Sequence, residues 1–372
     1  MISSMPRESA GRRSAFSLVE LLTVIFIISL LIGILIPSIG AARNAAKKAT
    51  TAKTIDSIKV GLQMFQNEQG SYFRATNGYP PSFEHPPIPD YGAFNRQARI
   101  EGRFPFLNDG SFPKVYGAHW LPFMLMGLDN LGYLPRSAVP AENDLPQKPW
   151  LWYEDDPQGS GRGPITQGRA VYLDPGNVKT KQTKDLPGQL SDGATEAFFP
   201  NWGEGRLDLK MNNLPVIVDA FDQPILYYAA NPHGAPTNMV EDRRNDKNEY
   251  TGGPQREGSP YYFHQDNEGF TGNKDQKGWY FSGSDRTEHP IARSGAELTA
   301  EDLIKTEPEF RNTFARYVVD RGIWTQMQQP DFAKATTPLR PVNSDAYLLI
   351  SAGPDGLYGT NDDVSNVPPF PE

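Results

Sequence analysis

Carboxylates gather near the end of the chain, in the run SAGPDGLYGTNDDV at 351–364. Asp355 is followed seven and eight residues on by Asp362 and Asp363, and Gly356 and Gly359 let the chain curl between them. Three hard oxygen donors on a bent chain suit calcium, which takes six to eight oxygen ligands at about 2.3–2.6 Å. The spacing is not that of an EF-hand, which needs its own periodicity and a closing Glu. An acidic surface turn is the plain alternative. Elsewhere the reactive side chains are scattered. His85, His119, His233, His264 and His289 form no HExxH or other compact ligand spacing, and there is no GxSxG, no Walker loop and no GxGxxG after a strand. The absence of cysteine excludes disulfides, Cys-bound zinc, iron–sulfur clusters and thiol catalysis. Glu154, Asp155 and Asp156 read as a solvated charge cluster. Trp150, Trp152 and Tyr153 read as core packing rather than a sugar platform. Tyr261, Tyr262, His264 and Asp266 read as a surface loop rather than a site. No catalytic residue is expected, so the chain is read as not an enzyme.

A second unusual carboxylate lies at the other end. Glu20 is the single charge in FSLVELLTVIFIISLLIGILIPSIG, residues 16–40, and residues 21–39 carry none. As a helix, 16–39 spans about 36 Å, enough for a hydrocarbon core of about 30 Å. Residues 1–15 are polar and carry Arg7, Arg12 and Arg13 against Glu8. The positive-inside rule therefore keeps them cytoplasmic and sends the C-terminal body across the membrane. The apolar run is longer than the 7–15 residues of a secretory signal peptide. A plain signal anchor would leave Glu20 without a reason, since a carboxylate in an apolar span is costly and normally has a partner.

The stretch Ala15-Phe16-Ser17-Leu18-Val19-Glu20 resembles the processing signal of type IV prepilins and type II secretion pseudopilins, Gly-Phe-(Ser/Thr)-Leu-(Ile/Val)-Glu. The resemblance implies cleavage by a prepilin peptidase between Ala15 and Phe16, followed by N-methylation of Phe16. Ala15 stands where the family has Gly. Glu20 becomes the fifth mature residue, and the resemblance has it pair with the Phe16 ammonium of a neighbouring subunit during assembly. Pro37 also matches the family, in which a proline kinks this helix.

Past Pro37 the pattern turns amphipathic. Ala41, Ala45, Ala52, Ile55, Ile58, Leu62 and Phe65 recur mostly at spacings of three and four, with Arg43, Lys47, Lys48, Lys53 and Lys59 between them. A helix to about residue 67 is predicted, with Gly70 as its stop. The basic residues suit a solvated face and anionic headgroups. Residues 1–60 carry eight Lys/Arg and three Asp/Glu; the remaining 28 basic and 41 acidic residues give 61–372 a net charge of −13. So acidic a body is no general nucleic-acid binder.

In the body, 115–135 predicts a short helix, 171–173 a strand followed by a Lys-containing loop, and 231–290 long surface excursions. A capping box at 299–302 predicts a helix that extends, with a kink or restart at Pro308, to about Met327. LPVIVD at 214–219, ILYY at 225–228 and DAYLLIS at 345–351 read as strands of a small antiparallel sheet. The linker Asp219-Ala-Phe-Asp-Gln-Pro224 resembles the Asp-Pro-Trp-Gly-Asn-Pro turn of major pseudopilins at Asp219, Phe221 and Pro224. The 351–364 run is similar to their calcium loop, which implies Asp355, Asp362 and Asp363 as side-chain ligands, with Ala352 and Thr360 offering carbonyls.

The expected fold is α+β and pilin-like: a leader at 1–15, a transmembrane helix at 16–39, an amphipathic helix at 40–69, and an exported globular domain at 70–372 with large loop insertions. The resemblance implies a single-pass inner-membrane protein with a cytoplasmic N-terminus and a periplasmic body. Its partners would be the prepilin peptidase, other pseudopilin subunits in a homo- or hetero-oligomeric filament, the inner-membrane assembly platform and membrane lipid, with no nucleic acid. A surface type IV pilin, or a membrane-anchored exported binding module or enzyme, are the alternatives. Long extracellular fibres would mark the first, and a deep polar cleft the second.

Overall fold

The computed structural model describes residues 18–73, 76–82, 116–127, 130–133, 153–155, 162–164, 169–186, 214–231, 234, 240–241, 261–272, 289–293, 298, 300–305, 307, 313–329 and 339–368. The chain divides into two units, Met1–Lys47 and Lys48–Glu372.

Helix α1, Leu18–Gln69, contains Pro37 without interruption. Every residue from 18 to 47 is exposed, and the helix is long and apolar enough to cross a membrane. Its hydroxyls bond back onto their own turn, Thr23 Oγ1 to the Glu20 carbonyl at 2.9 Å and Ser38 Oγ to the Leu35 carbonyl at 2.8 Å. Thr54 and Ser57 do the same further along, each onto the carbonyl four residues back.

Within the second unit, α1 buries Thr51, Ile55, Ile58, Gly61, Leu62, Phe65 and Gln69. The buried stripe thus begins at Thr51; Ala41, Ala45 and Ala52, predicted on it, are exposed. Successive residues stand about 100° apart on a helix, so a stripe centred on Ile55, Ile58 and Leu62 takes in Thr51 and turns Ala52 outward. Phe65 meets Phe73, Tyr133 and Tyr172 at ring-centroid distances of 5.2, 5.9 and 5.2 Å. Gly61 allows the Tyr172 backbone to approach, because an added Cβ would lie 2.8 Å from the Tyr172 carbonyl oxygen. The helix ends at Gln69 and tightens into a 3₁₀ turn, Gly70–Tyr72.

Helix α2, Gly117–Met126, is buried over its whole length. Strands β1, Tyr153–Asp155, and β2, Arg162–Pro164, form an antiparallel pair. Strand β3, Lys179–Gln182, pairs antiparallel with β4, Pro215–Val218. The strand predicted at 171–173 is a bend with Tyr172 and Leu173 buried, and the predicted Lys-containing loop holds β3 instead. Alternating lysines at 179 and 181 mark it as a strand in hindsight, but its partner β4 lies more than thirty residues on and leaves no local trace.

Strand β5, Leu226–Ala229, pairs antiparallel with β8, Tyr347–Ser351, and β8 with β9, Val364–Ser365. The three predicted strands exist, yet β4 and β5 sit in different ladders, joined by the Val218–Pro224 bridge and the Ile225 N–H bonding to Ile217 at 2.9 Å. Strand β6, Val240–Glu241, pairs with β7, Tyr262–Phe263, in parallel. The segment 261–272, predicted as surface, is core. Tyr262, His264, Asp266 and Asn267 are all buried, and it includes the short helix α3, Glu268–Thr271. Among the described residues, the predicted long helix from 300 is broken into short ones, α4 at Ala300–Leu303, α5 at Phe314–Val318 and α6 at Arg321–Met327. Thr313 and Asp320 each cap a fresh helix start with a side-chain oxygen, so the chain restarts rather than continues. Long helix and small, mainly antiparallel sheets together make an α+β fold.

Candidate functional site

Strand β8 is buried on both faces and delivers the chain directly into the carboxylate loop. The loop turns at three glycines with left-handed backbone, Gly353 at φ 64°, Gly356 at φ 72° and Gly359 at φ 97°. Gly353 has a second reason to lack a side chain, because a Cβ there would meet the Asp362 carbonyl oxygen at 2.4 Å. The bend that follows Ala352 therefore packs directly on Asp362. The N–H of Asp355 donates to Asp362 Oδ2 at 3.3 Å, and the Leu357 N–H to Asp355 Oδ1 at 2.8 Å. The Thr360 hydroxyl bridges the Asp362 and Asp363 carboxylates.

The structure thus brings Asp355, Thr360, Asp362 and Asp363 into one loop, with Ala352 at its mouth. Asp363 turns inward. Its Oδ2 accepts from the Gly359 N–H at 2.8 Å and its Oδ1 from the Thr360 N–H at 3.3 Å. Burial pushes its carboxyl up to about 7, against the opposing pull of the hydrogen bonds from Gly359, Tyr317 and Thr360. Asp355 is also raised, by burial first and then by the neighbouring Asp362 charge. Among the described residues no three acidic or histidine side chains converge as a ready-made ion cage. What the loop offers is two facing carboxylates, a hydroxyl and backbone carbonyls, all hard oxygens. That donor chemistry fits calcium, which completes its shell with carbonyls and water.

Two supports of this loop come from segments far from it in the chain. His289 Nδ1 accepts from the Tyr358 N–H at 3.1 Å, and the Tyr358 hydroxyl donates to the Pro224 carbonyl at 2.6 Å. The turn after β4 is the other support. Asp219 Oδ1 accepts from the N–H groups of Phe221 and Gln223 at 2.7 and 2.9 Å, while Oδ2 accepts from the Ser351 hydroxyl at 2.6 Å. One buried carboxylate thereby folds the turn and ties it to the last residue of β8. Burial raises its pKa, with those three hydrogen bonds opposing the rise. Asp219→Ala strands a buried hydroxyl and two N–H groups, each costing about 1–3 kcal/mol. We expect a loss of roughly 3 kcal/mol or more in urea unfolding, and Asp219→Asn to recover part of it.

The other sequence candidates separate. Glu20 lies in the first turn of α1 and Pro37 inside it; Ala15 and Phe16 lie outside the described residues. His119 and His264 are buried core groups, bonded to Thr183 at 3.1 Å and to the Ile291 carbonyl at 2.8 Å. Asp266 accepts from Ser82 inside the core. His85, His233, Trp150, Trp152 and Asp156 lie outside the described residues, and Glu154 and Asp155 fall in β1. Comparison with protein families, with characterised proteins and with solved structures found no match to this chain.

Proposed function

We propose that this chain is a pseudopilin-type subunit of a type II secretion filament, anchored in the inner membrane by the first half of α1 and carrying a pilin-like body on the far side. The observation that carries the reading is α1 itself. It is one 52-residue helix, bare and apolar up to Ile39, with Glu20 as the single charge of that stretch, and amphipathic from Thr51 onward. A helix of this design has two tasks: storage in lipid, then side-by-side packing in a filament. Glu20 supplies the register, because its carboxylate can pair with the Phe16 ammonium of the next subunit once the leader is removed. The role is mechanical rather than catalytic. Prepilin peptidase, other subunits and the assembly platform are its partners, and nucleotide hydrolysis belongs to a separate motor.

The deciding experiment is the mass of the mature chain from cells with active peptidase. A chain starting at N-methylated Phe16 is expected, and one starting at Met1 overturns the reading. In the same cells Glu20→Ala should insert normally but lose the inter-subunit cross-links expected of the wild type.

Calcium is the ion the terminal loop fits. Held by Asp355, Asp362 and the carbonyls beside them, it would neutralise two facing carboxylates and close the loop on β8. Binding confined to the folded state raises stability by mass action, about 2.7 kcal/mol at a hundred times Kd. Chelation should lower the melting temperature by several degrees, and Asp362→Ala should remove that response.

A further inference from the structure

Asn77-Gly78 is the sole Asn-Gly pair in the sequence. It forms the centre of a tight turn, closed by the Tyr79 N–H donating to the Thr76 carbonyl at 3.1 Å. Both residues have left-handed backbone, Asn77 at φ 54° and Gly78 at φ 90°, the conformation that Asn-Gly turns favour. Packing makes a separate demand on each. A Cβ at Gly78 would lie 2.9 Å from Gly70 Cα, just past the end of α1. Asn77 Nδ2 donates to the Asp345 carbonyl at 2.7 Å, just ahead of β8, while the Asn77 carbonyl accepts from Gln66 Nε2 of α1 at 2.9 Å. The turn thus ties the end of α1 to the strand that leads into the carboxylate loop. A donor side chain that tolerates positive φ, followed by glycine, answers both demands. The same pair is the dipeptide most open to succinimide chemistry, because glycine leaves the attacking backbone nitrogen unshielded.

We propose that Asn77 is a deamidation site gated by the fold, held inert in the closed turn and reactive once the turn opens. In the reaction the Gly78 backbone nitrogen gives its proton to a solvent base and attacks Asn77 Cγ. The Cγ–Nδ2 bond breaks, ammonia leaves and a cyclic succinimide remains. Water then opens the ring at one carbonyl to give aspartate, or at the other to give isoaspartate. The closed turn opposes this at both reacting ends. Gly78 is buried and its N–H donates to the Phe73 carbonyl at 2.8 Å, which withholds that proton from solvent. The Asn77 carboxamide is held by the Asp345 carbonyl. Neither product can remake the tie. Aspartate sets a carboxylate oxygen against the Asp345 carbonyl oxygen, and isoaspartate adds a methylene to the main chain beside Gly78. A body left open is marked irreversibly, and a folded one is spared.

The test incubates the full-length chain in detergent and mildly alkaline buffer, either folded or in urea. The tryptic peptide 75–96 is followed by mass spectrometry, with fragmentation that separates aspartate from isoaspartate. Conversion at Asn77 should be at least about tenfold slower in the folded chain, since it proceeds only through the opened turn. Gln66→Ala removes the bond to the Asn77 carbonyl and should speed conversion in the folded chain while leaving the rate in urea unchanged. Asn77→Asp, made directly, should lower the urea midpoint. Equal rates in the folded and unfolded chain overturn the gating. A folded Gln66→Ala chain that converts no faster than wild type overturns the part played by the tie to α1. An unchanged midpoint in Asn77→Asp overturns the loss of the tie to Asp345.

Discussion

Gly117→Ala is expected to prevent the body from folding. A Cβ at this position would lie 1.9 Å from the Tyr227 carbonyl oxygen and 3.0 Å from Asn267 Nδ2. The clash is with backbone at the root of the side chain, so no rotamer relieves it. Nor can the helix back away, because Asn267 clamps both partners. Its Oδ1 accepts from the Ala118 N–H at 2.9 Å, and its Nδ2 donates to the Tyr227 carbonyl at 2.7 Å. Moving α2 off β5 would break that clamp and open the packing of ten buried residues. The loss should exceed about 4 kcal/mol, a large part of a domain's stability. Limited proteolysis of the full chain in detergent should show the body cleaved throughout. Gly176→Ala is the control. Its Cβ would meet only the Asp174 side chain, at 3.3 Å, and melting should change little. A protease-resistant Gly117→Ala body would show that α2 does not dock on β5 as described.

His119 is expected to make stability fall with acid. Burial lowers its pKa from 6.5 to about 3, and its bonds explain why the ring is neutral. Nδ1 accepts from the Tyr116 N–H at 3.2 Å, which leaves Nε2 to donate to Thr183 Oγ1, whose hydroxyl in turn donates to the Leu214 carbonyl at 2.8 Å. A proton on Nδ1 would face an N–H inside the core. The folded pKa is depressed, so the unfolded chain binds the proton first. The contribution of His119 is whole above about pH 6.5 and falls by about 1.4 kcal/mol for each pH unit down to about 3.

His289, lowered to about 4, adds to the slope in the same direction. Asp363 opposes it, since a carboxyl raised to about 7 favours the folded state as pH falls. The contribution of His119 is therefore read as a difference. Urea midpoints of wild type and His119→Gln, measured between pH 7 and 4, should converge as pH falls, because glutamine can both accept and donate without titrating. Parallel curves would mean that His119 is protonated or exposed in the folded protein.

The glycines and histidines behind these two results looked unremarkable in the sequence. Gly117 opens an apolar run and gives no hint that a strand more than a hundred residues away will press on it. The cluster at 261–266 looked like a polar excursion because its neighbours are polar. It is core because Tyr262 reaches the Val342 and Asn343 carbonyls at 3.1 and 2.6 Å. Strand β3 was missed for the same reason, its ladder lying on β4. Asp219 was visible as a turn residue, but its bond to Ser351 joins positions 132 residues apart.

What the sequence determined by itself is whatever depends on near neighbours. The helix of α1, its apolar half with the single Glu20, its stop near Gly70, the existence of the strands at 214–228 and 345–351, and the glycine-bent acidic loop all follow from periodicity, propensity and turn chemistry within a few residues. The tertiary structure alone decided which strands share a ladder, where the buried stripe of α1 begins, and that the loop hangs on Asp219 and His289. It also decided that Asp355 faces Asp362 while Asp363 turns into the backbone. Those outcomes depend on burial and on hydrogen bonds between segments far apart in the chain, and such contacts leave no local pattern to read.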